Sequence, residues 1–374
     1  MIYRDFAGEK LSILGFGAMR FPTTEDGSKV IENEAIAMLR TAMDKGVNYI
    51  DTAHGYHGGE SETIVGKALA DGYRDKAFVA TKSPMWHINK PADFDEILEL
   101  QLRRLNIDCI DFYMLHGLGA ASWQKAKDFD LMALAEKAKK DGKIKRIGFS
   151  FHDSYPVLET ILNEYDKWAF CMIQLHYHDA NGQAGIRGVE KIAEKGIPIV
   201  VMEPLWGGKL ANPPKAVLKI FQESGANRSP VEWALDWLWA KPMPQNLIAI
   251  SGMSTMQQVL DNIEYAGRAP ETIDQEVIKK AQEVFGSLKL IPCTSCEYCG
   301  CPQGVSISSN FDAYNTAHID DRVDQAKDHY KSMTIWGGPN ARAENCTACG
   351  ACEELCPQYI KISEEMPKVA KYFS

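Results

Sequence analysis

No stretch of this 374-residue chain approaches the eighteen or so apolar residues of a membrane span, and no apolar h-region follows Met1. Neither a membrane nor a secretory destination is expected, which leaves the cytoplasm. Positive charge is the minority sign, with 41 Lys and Arg against 50 Asp and Glu and a net charge of −9. The basic residues form no stripe, so a nucleic acid partner is not expected. Internal repeats and low-complexity tracts are missing too. So is the G-x-G-x-x-G turn of an open dinucleotide-binding sheet, because Gly15-Phe-Gly17 lacks the third glycine. What remains is a chain with 45% hydrophobic residues, enough for one large domain and a smaller one.

Cysteine is plentiful and unevenly placed: eight of the ten fall in two runs near the C-terminus. The downstream run, Cys346, Cys349, Cys352 and Cys356 followed by Pro357, has the C-x2-C-x2-C-x3-C-P spacing that wraps a [4Fe-4S] cube. A zinc knuckle or free thiols are the alternatives, and zinc sites more often pair two C-x2-4-C elements. The upstream run holds Cys293, Cys296, Cys299 and Cys301 before Pro302, with one residue between its last two cysteines where three are usual. In two-cluster ferredoxins the fourth cysteine of each run serves the other run's cube. The expected sets are therefore Cys293, Cys296, Cys299 and Cys356 on one cube, and Cys346, Cys349, Cys352 and Cys301 on the other. Two residues reach at most ~7 Å, so Cys301 is within range of a neighbouring cube, while completeness of the upstream cluster stays open. Such spacing belongs to a reducing compartment, and Cys109 and Cys171 read as buried small hydrophobes.

From residue 11 to about 266, short apolar runs alternate with stretches of helical period. Eight runs read as strands: Leu14–Ala18, Asn48–Thr52, Phe78–Lys82, Phe112–His116, Ile144–Ser150, Cys171–Gln174, Pro198–Met202 and Leu247–Ser251. The helices between them include 34–45, 62–70, 94–105, 131–140 and 256–264. This alternation predicts an α/β fold, a (β/α)8 TIM barrel, with an open doubly wound sheet as runner-up. Met1–Lys10 predicts a hairpin closing the barrel bottom. A helix over 274–288 and the Ile291-Pro292 step put the domain boundary near 288, giving 1–288 and 289–374. The tail is expected to be a small, mainly α-helical, ferredoxin-like domain, with His318-Ile-Asp-Asp321 on a solvated face. Trp233, Trp237 and Trp239 mark the packing face of a helix.

Reacting groups of such barrels come from the C-terminal ends of strands. Asp51, Lys82 and His116 end the second, third and fourth strands, and Tyr56 follows five residues after Asp51. A phenol with a reference pKa of about 10 works near neutral pH only if a nearby cation favours its phenolate. Lys82 provides that cation, Asp51 fixes Lys82, and His116 orients a carbonyl oxygen.

The segments Asp51-Thr-Ala-His-Gly-Tyr56, Ser61-Glu62 with Gly66, Ala80-Thr-Lys82, Leu115-His116 and Gly148-Phe-Ser150 resemble those of the aldo/keto reductases. The resemblance covers residues 1 to about 266, and the whole chain is similar to a bacterial subgroup with a ferredoxin-like extension. It implies that Tyr56 is the proton donor in reduction of a carbonyl, or oxidation of an alcohol, with NADP or NAD. It further implies that Ser150 and Gln174 hold the carboxamide, that Pro204, Leu205 and Gly208 line the pyrophosphate loop, and that residues from Ser251 to Asn262 face the adenosine. Three departures stand out. The usual stacking aromatic falls at Met202, with Trp206 near in sequence to replace it. The Lys and Arg that grip a 2′-phosphate in many members appear as Gly252, beside Met253, and Gln258. Phe151 stands where an Asn contact to the carboxamide is common.

Nicotinamide delivers two electrons as hydride, and an iron-sulfur cube accepts one. The chain therefore calls for a flavin or similar converter, a substrate that forms a stabilised radical, or clusters that serve structure or an outside partner such as a ferredoxin. A flavin- or radical-type reductase and a nucleotide-binding redox sensor are the competing functions. His54, His57 and Trp86, in the first active-site loops, are expected to shape the substrate pocket; His176 and His178 lack a third metal ligand.

Overall fold

The computed structural model describes residues 1–25, 27–288, 290–296, 298–319 and 322–374. Asp320 and Asp321 of the expected acidic stretch lie outside the described residues. The first ten strands of the chain are β1 (Tyr3–Phe6), β2 (Glu9–Ser12), β3 (Leu14–Gly17), β4 (Tyr49–Asp51), β5 (Phe78–Pro84), β6 (Ile110–Leu118), β7 (Ile144–Phe151), β8 (Phe170–Gln174), β9 (Ile199–Met202) and β10 (Leu247–Gly252). Strands β3 to β10 close into a barrel in chain order, every neighbouring pair parallel, with β10 against β3. These are the eight runs read from the sequence, each shifted by at most two residues at an end.

The hairpin is there as well: β1 pairs antiparallel with β2. Its Phe6 and Leu11 sit in one buried cluster with Tyr49, Ala80, Phe112, Met114, Phe170, Met172, Val200, Ile248 and Ile250. The Phe6 ring stands edge-on to Phe112 at 5.9 Å, and Phe112 edge-on to Phe170 at 5.1 Å. Each such aromatic contributes roughly 1.5–3 kcal/mol by leaving water, so the plug is a substantial part of the barrel's core. Two glycines make room for it. A Cβ on Gly15 would come within 2.9 Å of Tyr49 and Ile250, and one on Gly148 within 2.5 Å of the Phe170 ring.

Inward positions alternate along a strand, so the residue two beyond an apolar layer lies in the next layer up. Following Tyr49, Ala80, Met114, Met172 and Val200 by two residues gives Asp51, Lys82, His116, Gln174 and Met202. The lower layers are aliphatic and aromatic, and the upper one is polar apart from Met202. That change of chemistry is what sets the site at the C-terminal mouth.

Helices α1 (Glu32–Asp44), α2 (Glu60–Ala68), α3 (Pro91–Leu105), α4 (Ala120–Asp128), α5 (Leu131–Lys140), α6 (Tyr155–Glu164) and α7 (Gly185–Glu194) follow their strands. Next come α8 (Lys215–Glu223), α9 (Pro230–Trp239), α10 (Met256–Gly267), α11 (Gln275–Ser287), α12 (Ile307–Ala317), α13 (Val323–Trp336) and α14 (Ile362–Phe373). The three tryptophans of α9 are all buried, and Trp239 Nε1 donates to Ile13 O at 3.0 Å.

The chain divides into two compact units: Met1–Pro204 with Glu232–Ile273, and Leu205–Val231 with Asp274–Ser374. The boundary drawn at 288 from the sequence falls inside the second unit, because α11 packs on α8. That unit's core gathers Ile291, Val305, Ile307, Phe311, Tyr330, Met333, Ile360 and Met366 around Cys293, Cys352 and Cys356.

Candidate active site and thiol pockets

At the mouth of the first unit, Lys82 Nζ donates to Asp51 Oδ1 at 2.6 Å, to Thr52 O at 2.8 Å and to Tyr56 Oη at 3.4 Å. Lys82 and Asp51 are each 1% exposed, so the ammonium is held by protein atoms in place of water. Breaking a buried pair of this kind by removing one partner costs about 3–5 kcal/mol. Burial pushes the Asp51 carboxyl above its ordinary range, and the Lys82 charge pulls it back part of the way. Tyr56 is half-buried and opens a short turn in which His57 and Gly58 take left-handed backbone angles. His116 faces the Tyr56 ring at 6.3 Å and 84°. Its imidazole is held neutral, well below the usual histidine range, first by burial and then by Lys82, His152 and His54.

Around this group stand rings from three loops. Trp86, 43% exposed, lies 4.7 Å from His116; His54 meets His87 at 5.6 Å; and His57 stacks on Phe21 at 5.5 Å while its Nε2 accepts from Phe21 N. His54, His57 and Trp86 are thus where the sequence put them. His152, at the end of β7, was missed; burial and then Lys82 lower it to about 4. Its signal was a Ser-x-His at a strand end.

A second network lies behind Lys82. The fully buried Glu62 accepts from Thr81 Oγ1 and Gln101 Nε2, both at 2.7 Å, and from Arg104 Nη1 at 3.2 Å. Gln101 Nε2 also donates to Lys82 O, and Arg104 Nη1 to His54 O. The strand carrying Lys82 and the loop carrying His54 and Tyr56 are therefore tied to α3. Gln101 and Arg104, three apart on a helix, were legible as polar intruders on an apolar face but were not singled out.

The residues expected to hold a nucleotide divide between the units. In the first, Ser150 Oγ accepts from Gly117 N at 2.8 Å, Gln174 Nε2 lies 3.4 Å from His176 Nε2, and Asn262 Nδ2 donates to Ser251 Oγ at 3.0 Å. Burial lowers His176 to about 3 and His178 to about 4, and the two rings stack at 5.8 Å. Met202 is half-buried, while Met253 is a core side chain. Gln258 works locally: its Oε1 accepts from Ser254 N at 2.7 Å and its N donates to Thr255 Oγ1, a capping arrangement that opens α10. Gly252 is exposed, and a Cβ there would meet the methylenes of Arg20 at 3.1–3.3 Å. Pro204 closes the first unit's segment. Leu205 and Gly208 lie in the second unit, where Gly207 and Gly208 have φ of 64° and 93°. Trp206, offered above as a stand-in for the stacking aromatic, is a core side chain there, edge-on to Phe285 at 6.4 Å.

All ten cysteines are free of disulfides. Eight of them line two small cavities of the second unit. Cys293, Cys296, Cys299 and Cys356, with Ile307, Phe311 and Ile360, surround one of only about 10 Å³. Cys301, Cys346, Cys349 and Cys352, with Val305, Ile307 and Ile362, surround the other, of the same small size, about 10 Å³. Each foursome combines three thiols of one run with one thiol of the other. Among the described residues no three Cys, His or carboxylate groups converge as ligands of a single metal ion. The thiols stand instead around cavity walls. Burial and then the neighbouring cysteines push Cys299 up to about 12, and burial above all takes Cys352 up to about 11. Thiolates there need positive charge inside the cavity.

A third, open groove of about 1170 Å³ lies at the hairpin end, lined by Phe6, Gly8, Trp168 and Asn246. It is on the barrel face opposite the one where chemistry is expected.

The profile of the aldo/keto reductase family matches residues 13–284. Methylglyoxal reductase YeaE of Escherichia coli is 30% identical over 214 residues, 56% of this chain and 70% of the relative. The uncharacterized oxidoreductase YqkF of Bacillus subtilis is 27% identical over 73% of this chain and 92% of its own. Among solved structures, the holo form of aldo-keto reductase AKR11C1 from Bacillus halodurans superposes with a TM-score of 0.61 at 27% identity, covering 76% of this chain and 96% of that one. An aldo-keto reductase from Klebsiella pneumoniae shares the fold at the same TM-score and coverage with 21% identity. The chain belongs to the aldo/keto reductase family and is an NAD(P)-dependent oxidoreductase of that type.

Proposed function

We propose that this protein reduces the carbonyl of a small aldehyde or ketone, with Tyr56 as proton donor, and that its tail carries two [4Fe-4S] clusters. The observation that carries the first half is Lys82 Nζ poised between Asp51 Oδ1 and Tyr56 Oη. When bound, the nicotinamide supplies hydride. Tyr56 Oη gives its proton to the carbonyl oxygen as charge gathers there, and the ammonium 3.4 Å away stabilises the phenolate left behind. Asp51 keeps Lys82 in place. His116, neutral by burial, donates an N–H to the same oxygen without competing for the proton. Trp86, packed on His116, covers the approach.

Ser150 and Gln174 hold the carboxamide in this reading, Met202 underlies the ring, Pro204, Leu205 and Gly208 take the pyrophosphate, and Ser251, Gly252, Met253, Gln258 and Asn262 belong to the adenosine side. With Gln258 spent on a cap, Arg20 is the cation that supports NADP over NAD, its stem filling the space beside Gly252. Among the described residues neither set of four thiols converges on a single metal ion, which suits a multi-atom cluster better than one tetrahedral zinc. Such clusters supply one-electron transfer, for which a ferredoxin or similar carrier in the cytoplasm is the fitting partner.

The relative named methylglyoxal reductase makes small α-oxoaldehydes the first compounds to try. Anaerobic protein is mixed with a panel of aldehydes and ketones and with NADPH or NADH. The proposal expects alcohol formed in step with coenzyme consumed, and faster with NADPH. Tight coenzyme binding with no turnover on any carbonyl would leave the nucleotide-binding redox sensor in its place.

A further inference from the structure

Gly208, the exposed glycine of the coenzyme loop, is flanked by two residues that both rest on the first cysteine run. Gly207 packs so closely on Thr294 that a Cβ would lie 2.5 Å from Thr294 O, and its φ of 64° already disfavours any side chain. Lys209, with a side chain only 10% exposed, donates from Nζ to Cys293 O at 3.0 Å. The same ammonium lies 3.7 Å from Asp312 Oδ1 and 5.6 Å from the centre of the Trp206 ring. Thr294 is itself buried. Cys293 is the first thiol of the cavity shared with Cys296, Cys299 and Cys356, and its sulfur accepts from Ser295 N at 3.4 Å.

We infer that Lys209 is a positioning residue joining the coenzyme loop to the Cys293 pocket, so that coenzyme affinity and filling of that one pocket rise and fall together. The physical ground is local. The backbone at 293–294 is the seat for both neighbours of Gly208. A ligand that draws the Cys293 and Cys296 thiolates inward sets that seat, and an anion on the loop favours the arrangement in which the seat is set. Coupling of this kind is reciprocal by thermodynamic necessity, and commonly amounts to about 5- to 150-fold in affinity. The inference rests on the coenzyme and cluster readings proposed above.

Four anaerobically purified proteins test it: wild type, Lys209→Met, Cys299→Ser and Cys349→Ser. Iron and sulfide are counted, circular dichroism checks folding, and NADPH affinity is read by fluorescence titration. Cys299→Ser and Lys209→Met should bind NADPH at least about fivefold more weakly, while Cys349→Ser, which empties only the other pocket, should match wild type. Lys209→Arg should recover most of the loss. In turnover, Lys209→Met should raise KM for NADPH and leave kcat nearly unchanged. Equal affinity in all four proteins, with the loss of iron in Cys299→Ser verified, overturns the coupling. So does equal weakening in Cys299→Ser and Cys349→Ser. A wild type without iron instead refutes the cluster reading, and one that binds no NADPH refutes the coenzyme reading; each takes the inference down by a separately visible route.

Discussion

The mouth of the barrel and the two thiol pockets solve opposite problems. At the mouth, opposite charges meet: buried Asp51 with buried Lys82, and buried Glu62 with half-buried Arg104, each at hydrogen-bond distance and tied to backbone carbonyls. In the pockets, like meets like, with four thiols facing one cavity and burial driving Cys293 and Cys299 toward the protonated form. A site of the first kind is complete in protein atoms and, under the proposed function, preorganised for proton transfer. A site of the second kind, under the cluster proposal, is finished by a cation-bearing group.

The sharpest way to break that contrast is to turn the mouth into a site with an uncompensated charge. Lys82→Met leaves the Asp51 carboxylate buried without its partner, and stability is expected to fall by about 3–5 kcal/mol along with turnover. Denaturant unfolding followed by tryptophan fluorescence checks it. For the pockets, the crossed sets make an unusual forecast. Cys356→Ser lies in the downstream run, yet it should abolish the same cluster signal as Cys299→Ser and spare the one abolished by Cys352→Ser, with about half the iron retained. Low-temperature electron paramagnetic resonance of the reduced proteins reads this directly.

Acid separates the two regions more gently. His152 is lowered to about 4 and His178 to about 4, both first by burial. Because the unfolded chain binds these protons near the reference pKa of about 6.5 and the folded one resists them, stability is full above 6.5 and drains as pH falls toward 4. His152 alone accounts for a loss on the order of 3 kcal/mol across that window. Melting temperature against pH should therefore decline steadily below 6.5, and His152→Asn should flatten the decline.

Much of this was legible before any coordinates. The strands announced themselves as apolar runs, and Asp51, Lys82 and His116 stood out as the polar residues at the C-terminal ends of three of them. The crossed cysteine sets are an expectation from the spacing together with the two-cluster ferredoxin rule. Other features depended on partners distant in sequence. Nothing local says that 205–231 and α11 pack with the tail, since an amphipathic helix advertises a face and not its neighbour. Trp206 sits beside the coenzyme loop in sequence, but its place is a core shared with Phe285. Gln101 and Arg104 gain meaning only when Glu62, some forty residues earlier, is brought against them.

The most direct test of the whole account is Tyr56→Phe, which deletes one oxygen and keeps the ring. With coenzyme affinity measured alongside, carbonyl reduction should fall by about 10²- to 10⁴-fold while NADPH binding stays at the wild-type level. Reduction at the full wild-type rate would show that the proton comes from elsewhere and that the Lys82 pair serves the fold rather than the reaction.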